Sequence, residues 1–405
     1  MSTVTNVYKG VRGLQTAVKD VGRLRRIITI LAKHGFGAFV TRMQVAEIVG
    51  IKNIMQYVDE NRDLGSFPKR LRVTLEELGP TFVKLGQILS TRSDLISPEL
   101  IVELQLLQDD VPQMPWDDVR AQIAKALGKP IEEAYASFEA QPIASASIAQ
   151  VHRARLPDGA DVAVKVQRRG IRQAIHSDLN ILHFLAGRAA QLIPEVGLID
   201  PVGIIEEFER AIFKELDFNN ERANIERFQR NFQRFEGIRA PKVYNDYCGA
   251  TILTMEFIDG VKVTEAPAKL GTDPYKIAPK MLQAMLKMAL KDGFFHGDLH
   301  PGNILICKDH SIALIDFGLV GRLLPQQRED ILDLLMGVAN EDYDLIARVT
   351  FDIGGKVPGH RYDYAAFEAD VVEMVERHVA GRSISDIRCP GSFCGFGQRC
   401  DQAQY

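Results

Sequence analysis

The chain has 405 residues, of which 46% are hydrophobic and 25% are charged, and its formal net charge is −4 at pH 7. This composition is ordinary for a globular protein and excludes a disordered or fibrous one. The length exceeds what one hydrophobic core normally organises and predicts two or three domains. No run of eighteen uncharged apolar residues occurs, and the opening MSTVTNVYKG lacks an apolar signal-peptide core. The sequence therefore predicts a protein that stays inside the cell and does not span a membrane.

The five cysteines follow no disulfide-framework spacing, which is typical of a reducing compartment. Cys389, Cys394 and Cys400 lie near one another in the chain, but no pair forms Cys-x-x-Cys and no histidine is close. We therefore interpret them as unpaired thiols rather than as metal ligands.

The first 72 residues are basic, with thirteen Lys or Arg residues against five Asp or Glu residues. Within RLRRIITILAKHGFGAFV (23–40), apolar residues recur at helical spacing from Leu24 to Leu31, and Arg23, Arg25 and Arg26 lie among them. This pattern fits an interfacial helix on anionic lipid. It fits equally well an ordinary helix that packs its apolar face on the core and turns its basic face to solvent.

Helices are predicted over most of residues 20–115, since apolar residues recur at helical spacing there. Breaks are expected where glycine and proline interrupt the pattern, at Gly35–Gly37, Gly65–Pro68, Gly79–Pro80 and Ser97–Pro98. The acidic, proline-containing segment QDDVPQMPWDD (108–118) indicates a connector and the start of a new domain.

The pattern changes to strands after Phe138. IAQVHRARL and DVAVKVQ flank the turn Pro157–Gly159 and predict a hairpin of a half-buried sheet. Helices are then expected over about 171–192 and 201–235, followed by a strand within ATILTMEFIDG (250–260) and an amphipathic helix over 276–293.

Four residues match the chemistry of phosphoryl transfer from ATP, which needs a cation for the phosphates, oxygen ligands for Mg²⁺ and a carboxylate that orients the acceptor. Lys165 lies in VAVK at the end of the second hairpin strand. HGDLHPGN (296–303) places Asp298 and Asn303 five residues apart, and LIDFG supplies Asp316. Two short apolar runs, 303–306 and 312–315, precede Asp316 and predict a strand pair between the loop and this aspartate. These residues occur in the order of the protein-kinase layout.

Each of these signals alone is weak, because a D-F-G tripeptide is mostly a turn and a strand lysine mostly a surface residue. Their shared order and spacing leave little room for an unrelated α/β domain. His296 and His300 are interpreted as neutral side chains that brace the loop, since no second ligand set accompanies them as a zinc site would require.

Longer segments are similar to one family, the UbiB (AarF-type) family of atypical protein-kinase-like proteins, over about residues 20–387. The resemblance implies an α+β, protein-kinase-like two-lobe fold with an N-terminal helical extension. The segments that carry it are TFVKLGQILSTRSDLI (81–96), PIASASIAQVHRA (142–154), VAVKVQ (162–167), KELDFNNERAN (214–224), DGFFHGDLHPGNIL (292–305) and LIDFGLVGRL (314–323). The expected divisions are a helical extension (1–115), an N-lobe with a helical insert (116–260), an incomplete C-lobe (261–387) and an atypical tail (388–405).

The resemblance also assigns site residues. Glu221 matches the helix glutamate that pairs with Lys165. The family's regulatory K-x-G-Q and E-x-D motifs, which are associated near the ATP site, fall on Lys84, Gly86, Gln87, Glu215 and Asp217.

Two segments are expected to contact the nucleotide. The ASAS loop, Ala144, Ser145, Ala146 and Ser147, replaces the glycine-rich loop of ordinary kinases, and side chains with a Cβ cannot approach phosphate as glycine does. In the family this loop is alanine-rich and associated with altered nucleotide preference, and the serine at 145 departs from that pattern. By analogy with the kinase hinge, the adenine-contacting linker is expected at Met255, Glu256 and Ile258.

Gly297 stands where ordinary kinases carry the arginine that pairs with a phosphorylated activation segment. After Gly318 the chain passes directly into the predicted helix LLPQQREDILDLLMGV, with no A-P-E sequence. Both features favour a small, lipid-like acceptor or water over a protein substrate. Residues 388–405 are unlike the family, and we hypothesise a truncated or frame-shifted reading frame.

The resulting prediction is an ATP-binding protein with ATPase activity that supports isoprenoid-quinone (ubiquinone-type) biosynthesis or lipid handling at a membrane surface. Lys165 would hold the α- and β-phosphates, Glu221 would orient Lys165, Asp298 would position the acceptor, and Asn303 and Asp316 would ligate Mg²⁺; the expected ligands are ATP or ADP and Mg²⁺. The alternatives are a small-molecule or protein kinase and a non-catalytic, ATP-gated, lipid-binding scaffold. Expected partners are an anionic membrane surface, an isoprenoid or quinone-like lipid and quinone-biosynthesis enzymes, but no nucleic acid. The expected location is the bacterial cytoplasm, peripherally at the inner membrane.

Overall fold

The computed structural model describes residues 21–57, 65–93, 95–107, 112–193, 200–354 and 363–378, which divide into two compact units. Unit 1 comprises the chain up to Ala223 together with Pro241–Phe257, and unit 2 comprises Asn224–Ala240 and the chain from Ile258 onward. The helical extension and the main sheet, which we predicted as separate segments, cluster within unit 1. Residues 224–240, which we expected in the N-lobe, fall in unit 2, and the chain divides again at 257/258. The expected divisions into extension, N-lobe and C-lobe stay a prediction. The atypical tail lies outside the described residues.

The described part of unit 1 starts at residue 21 with short helices whose breaks coincide with the predicted ones. Gly35 has φ of +83° inside the π-helical turn Ala32–Phe36, a conformation that favours glycine. Three helices carry proline in their first turn, where no amide donor is needed. The helices are α1 (Val21–Leu31), α2 (Gly37–Arg42), α3 (Phe67–Leu78), α4 (Pro80–Leu89), α5 (Pro98–Leu104), α6 (Trp116–Leu127) and α7 (Ile131–Ala134).

The apolar face of α1 lies in the protein interior. Leu24, Ile27 and Ile28 are at most 1% exposed. Arg23 does not face solvent freely either, because its Nε and Nη2 donate to the carboxylate of Asp178 at 2.6 and 3.0 Å. Of the two interpretations of this helix, the structure shows the core-packed one, so its apolar side cannot enter a lipid surface.

Asp178 connects three helices of unit 1. It lies on α8 (Ile171–Leu192), the insert helix predicted at these residues, and is 4% exposed. Besides Arg23 of α1, it accepts a hydrogen bond of 2.6 Å from the hydroxyl of Thr81 on α4. Arg23 also donates to the carbonyl of Leu78 at 2.8 Å. The buried charge is therefore paired and hydrogen-bonded, as a buried carboxylate must be.

The main sheet of unit 1 is antiparallel and contains the predicted hairpin. Its strands run in the order β1-β3-β4-β6, and β2 also pairs with β3. Apolar side chains of β3, β4 and β6 pack with those of α6 and α7 into one core, which explains the alternating pattern of these strands. The strands are β1 (Ser137–Phe138), β2 (Ala144–Ser145), β3 (Ala149–Arg155), β4 (Asp161–Gln167) and β6 (Ile252–Glu256), while β5 (Ile238–Arg239) belongs to unit 2.

The predicted helix 201–235 is two helices, α9 (Pro201–Glu215) and α10 (Phe218–Phe232). The break lies at Leu216–Asp217, where the Asp217 carboxylate accepts from the amide of Asn219 at 3.1 Å. A side chain that bonds the backbone two residues on stabilises a helix start, so the sequence position of Asp217 determines where α10 begins.

Unit 2 contains a sheet in the order β5-β10-β9-β7, in which β5 and β10 are parallel, and a two-stranded sheet of β8 and β11. The apolar runs before Asp316 form the antiparallel pair β9 and β10, as predicted. The remaining elements are β7 (Gly260–Lys262), α11 (Ala266–Leu270), α12 (Pro274–Leu286), β8 (Phe294–His296), β9 (Ile304–Cys307), β10 (Ile312–Leu314), β11 (Val320–Arg322), α13 (Pro325–Asn340), α14 (Tyr343–Gly354) and α15 (Tyr364–His378).

Helix α12 turns large apolar side chains outward. Tyr275 and Leu282 are 88% and 57% exposed, and Met285 and Leu286 are also exposed, one turn further along the same side. The amphipathic pattern predicted for 276–293 therefore does not mark a buried face over its full length. No helix of the described residues is both long and apolar enough to cross a membrane.

Candidate functional site

Lys165 and Glu221 form an ion pair inside unit 1. The Lys165 ammonium lies 3.1 and 2.9 Å from the two carboxylate oxygens of Glu221, although 56 positions separate the residues in the chain. The two side chains are 12% and 5% exposed. Both predicted residues are thus brought together, and the pair holds the ammonium in one place, which a phosphate-binding lysine requires.

The residues around Glu221 position α10 on the sheet. Gln167, the last residue of β4, donates through its side-chain amide to the carbonyl of Leu216 at 2.8 Å. The amide of Phe218 donates to the carbonyl of Ala250 at 3.0 Å. Gln167 lies on the same face of β4 as Lys165, since side chains two residues apart in a strand share a face. Sequence reasoning missed Gln167, although this spacing could have indicated it.

Of the five predicted regulatory residues, Lys84 and Glu215 contact each other, and the other three have separate contacts. Lys84 of α4 pairs with Glu215 of α9 at 2.6 Å. Gly86 lies against leucines, because a Cβ there would approach Leu107 Cδ1 to 2.4 Å. The side-chain amide of Gln87 donates to the carbonyl of Leu107 at 3.4 Å. Asp217 instead bonds the first turn of α10, so within unit 1 its described contacts are those of a helix cap.

The loop predicted to contact phosphate, 144–147, comprises β2 and the two residues after it. Ala144 and Ser145 pair with β3, and the amide of Ala146 donates to the carbonyl of Ala149 at 2.8 Å. The hydroxyl of Ser147 is fully buried and makes no hydrogen bond to the described residues. An unsatisfied buried hydroxyl costs about 1–3 kcal/mol, so the Ser147 side chain does not help to hold this loop in place.

The residues of the expected adenine linker divide between the two units. Met255 pairs with Ala163 across β4 and β6 within unit 1. The amide of Glu256 donates to the carbonyl of Lys242 at 2.7 Å, so this amide is already engaged. Ile258, the first residue of this stretch in unit 2, is 8% exposed and packs with Cys307 and Ala313. An adenine contact from this segment stays a prediction.

The loop 296–303 of unit 2 is organised by its own side chains. His296 is 5% exposed, and its Nδ1 accepts from the amide of Asp298 at 3.1 Å while its Nε2 lies 3.2 Å from the carbonyl of Ile315. Since Nδ1 accepts, the ring is neutral and carries its proton on Nε2. The His300 Nδ1 accepts from the amide of Gly302 at 3.0 Å. Both histidines therefore brace the backbone, as interpreted from the sequence.

Asp298 and Asn303 have complementary surroundings in this loop. The Asp298 side chain is 51% exposed, and one of its carboxylate oxygens lies 3.9 Å from His300 Nε2. Asn303 is 7% exposed, and its amide nitrogen donates to the Asp298 carbonyl at 3.0 Å. This bond fixes the Asn303 amide so that its oxygen remains the atom a metal ion would bind.

Asp316 adopts a left-handed backbone conformation, with φ of +59°. For a residue other than glycine this conformation is strained and recurs at functional sites. The Asp316 carboxylate accepts from the amide of Gly318 at 3.2 Å. Phe317, the next residue, is fully buried, and its ring centroid lies 5.0 Å from those of Phe228 and His296. Its carbonyl accepts a hydrogen bond of 3.0 Å from the Asn224 side-chain amide. Sequence reasoning identified Asp316 but missed this anchor.

Packing also explains why residue 297 is a glycine. Its amide donates to the carbonyl of Leu319 at 2.9 Å, and an added Cβ would lie 3.0 Å from Leu319 Cγ. The chain then forms β11 and enters α13 at Pro325, so only residues 319–324 separate the D-F-G tripeptide from a helix. This segment is described in full.

Burial lowers the pKa of His296 below its ordinary value, against the opposing effect of the Ile315 carbonyl. The unfolded chain therefore binds more protons than the folded chain between that lowered pKa and about 6.5. We expect the free energy of unfolding to fall as pH decreases below about 6.5. Urea unfolding followed by circular dichroism at pH 7.5 and 5.5 should show a smaller loss for His296→Asn than for the wild type. The exposed His176→Asn is the control and should keep the wild-type loss; equal losses in all three proteins would contradict the prediction.

The oxygen atoms of Asn303, in loop 296–303, and of Asp316, after β10, are suitable ligands for Mg²⁺. Asn303 and Asp316 offer an amide and a carboxylate oxygen, the hard ligands that Mg²⁺ selects, and Mg²⁺ usually completes its shell with water and substrate phosphates. Within the described ranges no group of three His, Cys, Asp or Glu side chains could hold a metal ion. A site of two protein ligands is therefore the appropriate expectation.

A family model for the ABC1 atypical kinase-like domain matches residues 106–350, more than half of the chain. The chain belongs to the ABC1 family of atypical kinase-like proteins. The predicted resemblance to UbiB-type proteins is thereby confirmed, and so is the α+β, kinase-like fold class.

Two curated relatives show the range of the ABC1 family. The chain is 38% identical over 324 residues to a probable protein kinase UbiB of Marinobacter nauticus, a match covering 78% of this chain and 59% of that protein. It is 41% identical over 290 residues to the chloroplastic protein ACTIVITY OF BC1 COMPLEX KINASE 7 of Arabidopsis thaliana, covering 71% and 42%. The chain spans about three fifths of the length of the UbiB relatives it matches.

A solved structure supports the same assignment. Rv3197 of Mycobacterium tuberculosis, determined in complex with erythromycin, is similar with a TM-score of 0.54 at 28% identity, covering 75% of this chain and 76% of that one. The ABC1 kinase-like fold is therefore found in a relative of known structure.

Proposed function

We propose that this ABC1-family chain binds Mg-ATP and hydrolyses it, in support of isoprenoid-quinone (ubiquinone-type) biosynthesis or lipid handling at a membrane surface. The contact of Lys165 with both carboxylate oxygens of Glu221 carries the proposal, since kinase-type enzymes need this pair to hold the α- and β-phosphates. Asp298, exposed and 3.9 Å from His300, would accept a hydrogen bond from the attacking hydroxyl or water.

Asn303 and Asp316 would hold Mg²⁺, which when bound neutralises charge that develops on the phosphates. In the same proposal, the ASAS loop contacts the phosphates and the linker at Met255, Glu256 and Ile258 contacts adenine. The Lys84–Glu215 pair would restrict access to the nucleotide, because it ties α4 to α9 within unit 1.

A small acceptor or water is favoured over a protein substrate because only residues 319–324 follow the D-F-G tripeptide before α13. The lipid, the quinone-biosynthesis enzymes and the peripheral position at the inner membrane are proposed from the family resemblance. Helix α1 gives them no support, since its apolar side is buried.

The test is phosphate release from γ-labelled ATP by the full chain, with Mg²⁺ and with the metal removed by EDTA. We expect release with Mg²⁺, a drop to background with EDTA and recovery when Mg²⁺ is restored, because the metal ion neutralises the charge of the phosphates and the oxygen atoms of Asn303 and Asp316 cannot. Vesicles of phosphatidylglycerol and phosphatidylcholine should raise the rate, and vesicles of phosphatidylcholine alone should not.

Three outcomes would contradict parts of this proposal. Label recovered on an added lipid or protein instead of as free phosphate would identify a kinase. ATP binding without release would identify the scaffold, and absence of ATP binding would remove the nucleotide from the function altogether.

A further inference from the structure

Arg168 connects the phosphate-facing loop to the rest of unit 1. Its Nε donates to the carbonyl of Ala146 at 2.9 Å and its Nη2 to the hydroxyl of Ser145 at 2.8 Å. Its Nη1 donates to the carbonyl of Pro112 at 2.8 Å, and its backbone amide to the carbonyl of Ile148 at 2.9 Å. The acceptors lie on both sides of Ser147, so this one residue fastens the whole turn from 145 to 148.

The chemistry of the side chain suits this role. A guanidinium is planar and presents its donors in a fixed fork, so it can satisfy several acceptors from separate segments at once, whereas a lysine ammonium is a single point on a flexible stem. The buried hydroxyl of Ser147 has no partner among the described residues. The turn is thus held from outside, and Arg168 supplies the contacts that do so.

We propose that Arg168 is the positioning residue of loop 144–147 and sets how tightly the chain binds the phosphates of a nucleotide. The inference rests on the proposed function, in which this loop contacts phosphate. Without Arg168 the loop would have to be ordered when the nucleotide binds, which weakens binding. Since the proposed function assigns this loop to the phosphates and a separate segment to adenine, we expect the effect on ATP and not on adenosine.

The experiment compares Mg-ATP and adenosine binding by the full chain, measured by calorimetry, in the wild type, Arg168→Gln, Arg168→Lys and Arg169→Gln. Arg169 is the matched control, since it is the next residue, loses the same charge and makes a pair with Asp118 at 2.7 Å on the exposed surface. We expect Arg168→Gln to weaken Mg-ATP binding about tenfold with adenosine affinity unchanged. Arg169→Gln should match the wild type for both ligands, and Arg168→Lys should stay close to Arg168→Gln.

Amide hydrogen exchange of residues 144–148 without nucleotide gives a second readout. Exchange should be faster in Arg168→Gln than in the wild type or Arg169→Gln, because the loop is released. Equal exchange in all of them would overturn the proposed positioning role.

The outcomes separate this inference from the proposed function. Absence of ATP binding in the wild type and Arg169→Gln would refute the proposed function. ATP binding in those two proteins with an unchanged affinity in Arg168→Gln would refute the role of Arg168 alone. Equal losses for ATP and adenosine would indicate general damage to the fold, and full recovery in Arg168→Lys would indicate that charge, not positioning, matters; both would overturn the inference.

Discussion

Replacing Asp316 by asparagine is expected to lower the rate of phosphate release from Mg-ATP by about 10²–10³-fold, because a metal-bound carboxylate supplies several kcal/mol of charge stabilisation. The amide keeps the size of the side chain, and its oxygen can still accept from the Gly318 amide, a bond of 3.2 Å in the wild type. The left-handed conformation at 316 should also persist, since asparagine tolerates it better than most residues. The loss should therefore appear as turnover, not as unfolding.

Asp309→Asn is the matched control for this prediction. Asp309 also lies in unit 2 and is exposed. Like Asp316, it accepts through its Oδ1 from the backbone amide two residues further on, here that of Ser311 at 3.0 Å. The Asp309→Asn substitution removes the same charge but changes neither proposed metal ligand, so phosphate release should remain at the wild-type rate. Equal rates for wild type and Asp316→Asn, each at saturating Mg-ATP, would show that Asp316 does not hold the metal.

Replacing Asp178 by alanine is expected to lower the free energy of unfolding of unit 1 by about 3 kcal/mol, as loss of one partner from a buried ion pair does. The carboxylate is 4% exposed and accepts from Arg23 and Thr81, which lie on two other helices. Its removal leaves the Thr81 hydroxyl and part of the Arg23 guanidinium without acceptors. The only tryptophan of the sequence, Trp116, lies in unit 1, so urea unfolding followed by its fluorescence reports on this unit.

Glu207→Ala provides the comparison. Glu207 of α9 pairs at 2.7 Å with Arg92, which follows the end of α4, but the two side chains are 57% and 33% exposed and so remain accessible to water. An accessible pair contributes at most about 1 kcal/mol, so this variant should stay near the wild type. If Asp178→Ala loses no more than Glu207→Ala, the buried network does not hold the extension to α8.

The sequence predicted most of the fold because glycine, proline and strand alternation mark element ends directly. The hairpin of β3 and β4, the pair of β9 and β10 and the insert helix α8 lie where the pattern placed them. The missed break between α9 and α10 has a local cause, since Asp217 bonds the backbone in place of a helical continuation.

The candidate site was predictable only as far as motifs name residues. Lys165 and Glu221 are separated by 56 positions, and the family resemblance was needed to pair them. The spacing from Lys165 could have indicated Gln167, but its bond to the Leu216 carbonyl could not be predicted, because residue identity does not show which backbone carbonyl is near. The same holds for the bonds of Arg168 to the carbonyls of Ala146 and Pro112. The strained φ of Asp316 was equally inaccessible, since backbone conformation at one residue depends on the packing around Phe317.

Amphipathicity gave opposite results for two helices. The apolar side of α1 is buried, whereas α12 shows large apolar residues to solvent. Periodicity identifies which residues share a face, but it does not specify what covers that face. The identity of the covering surface is a property of the tertiary structure.

The outward apolar side of α12 also affects the solubility of the chain. Water next to Tyr275 and Leu282 would be released if a second protein surface covered them. This favours association between chains, and the extent of association grows with protein concentration. A net charge of −4 spread over 405 residues opposes it only weakly. This helix therefore lowers the solubility of the isolated chain, independently of how stably either unit folds.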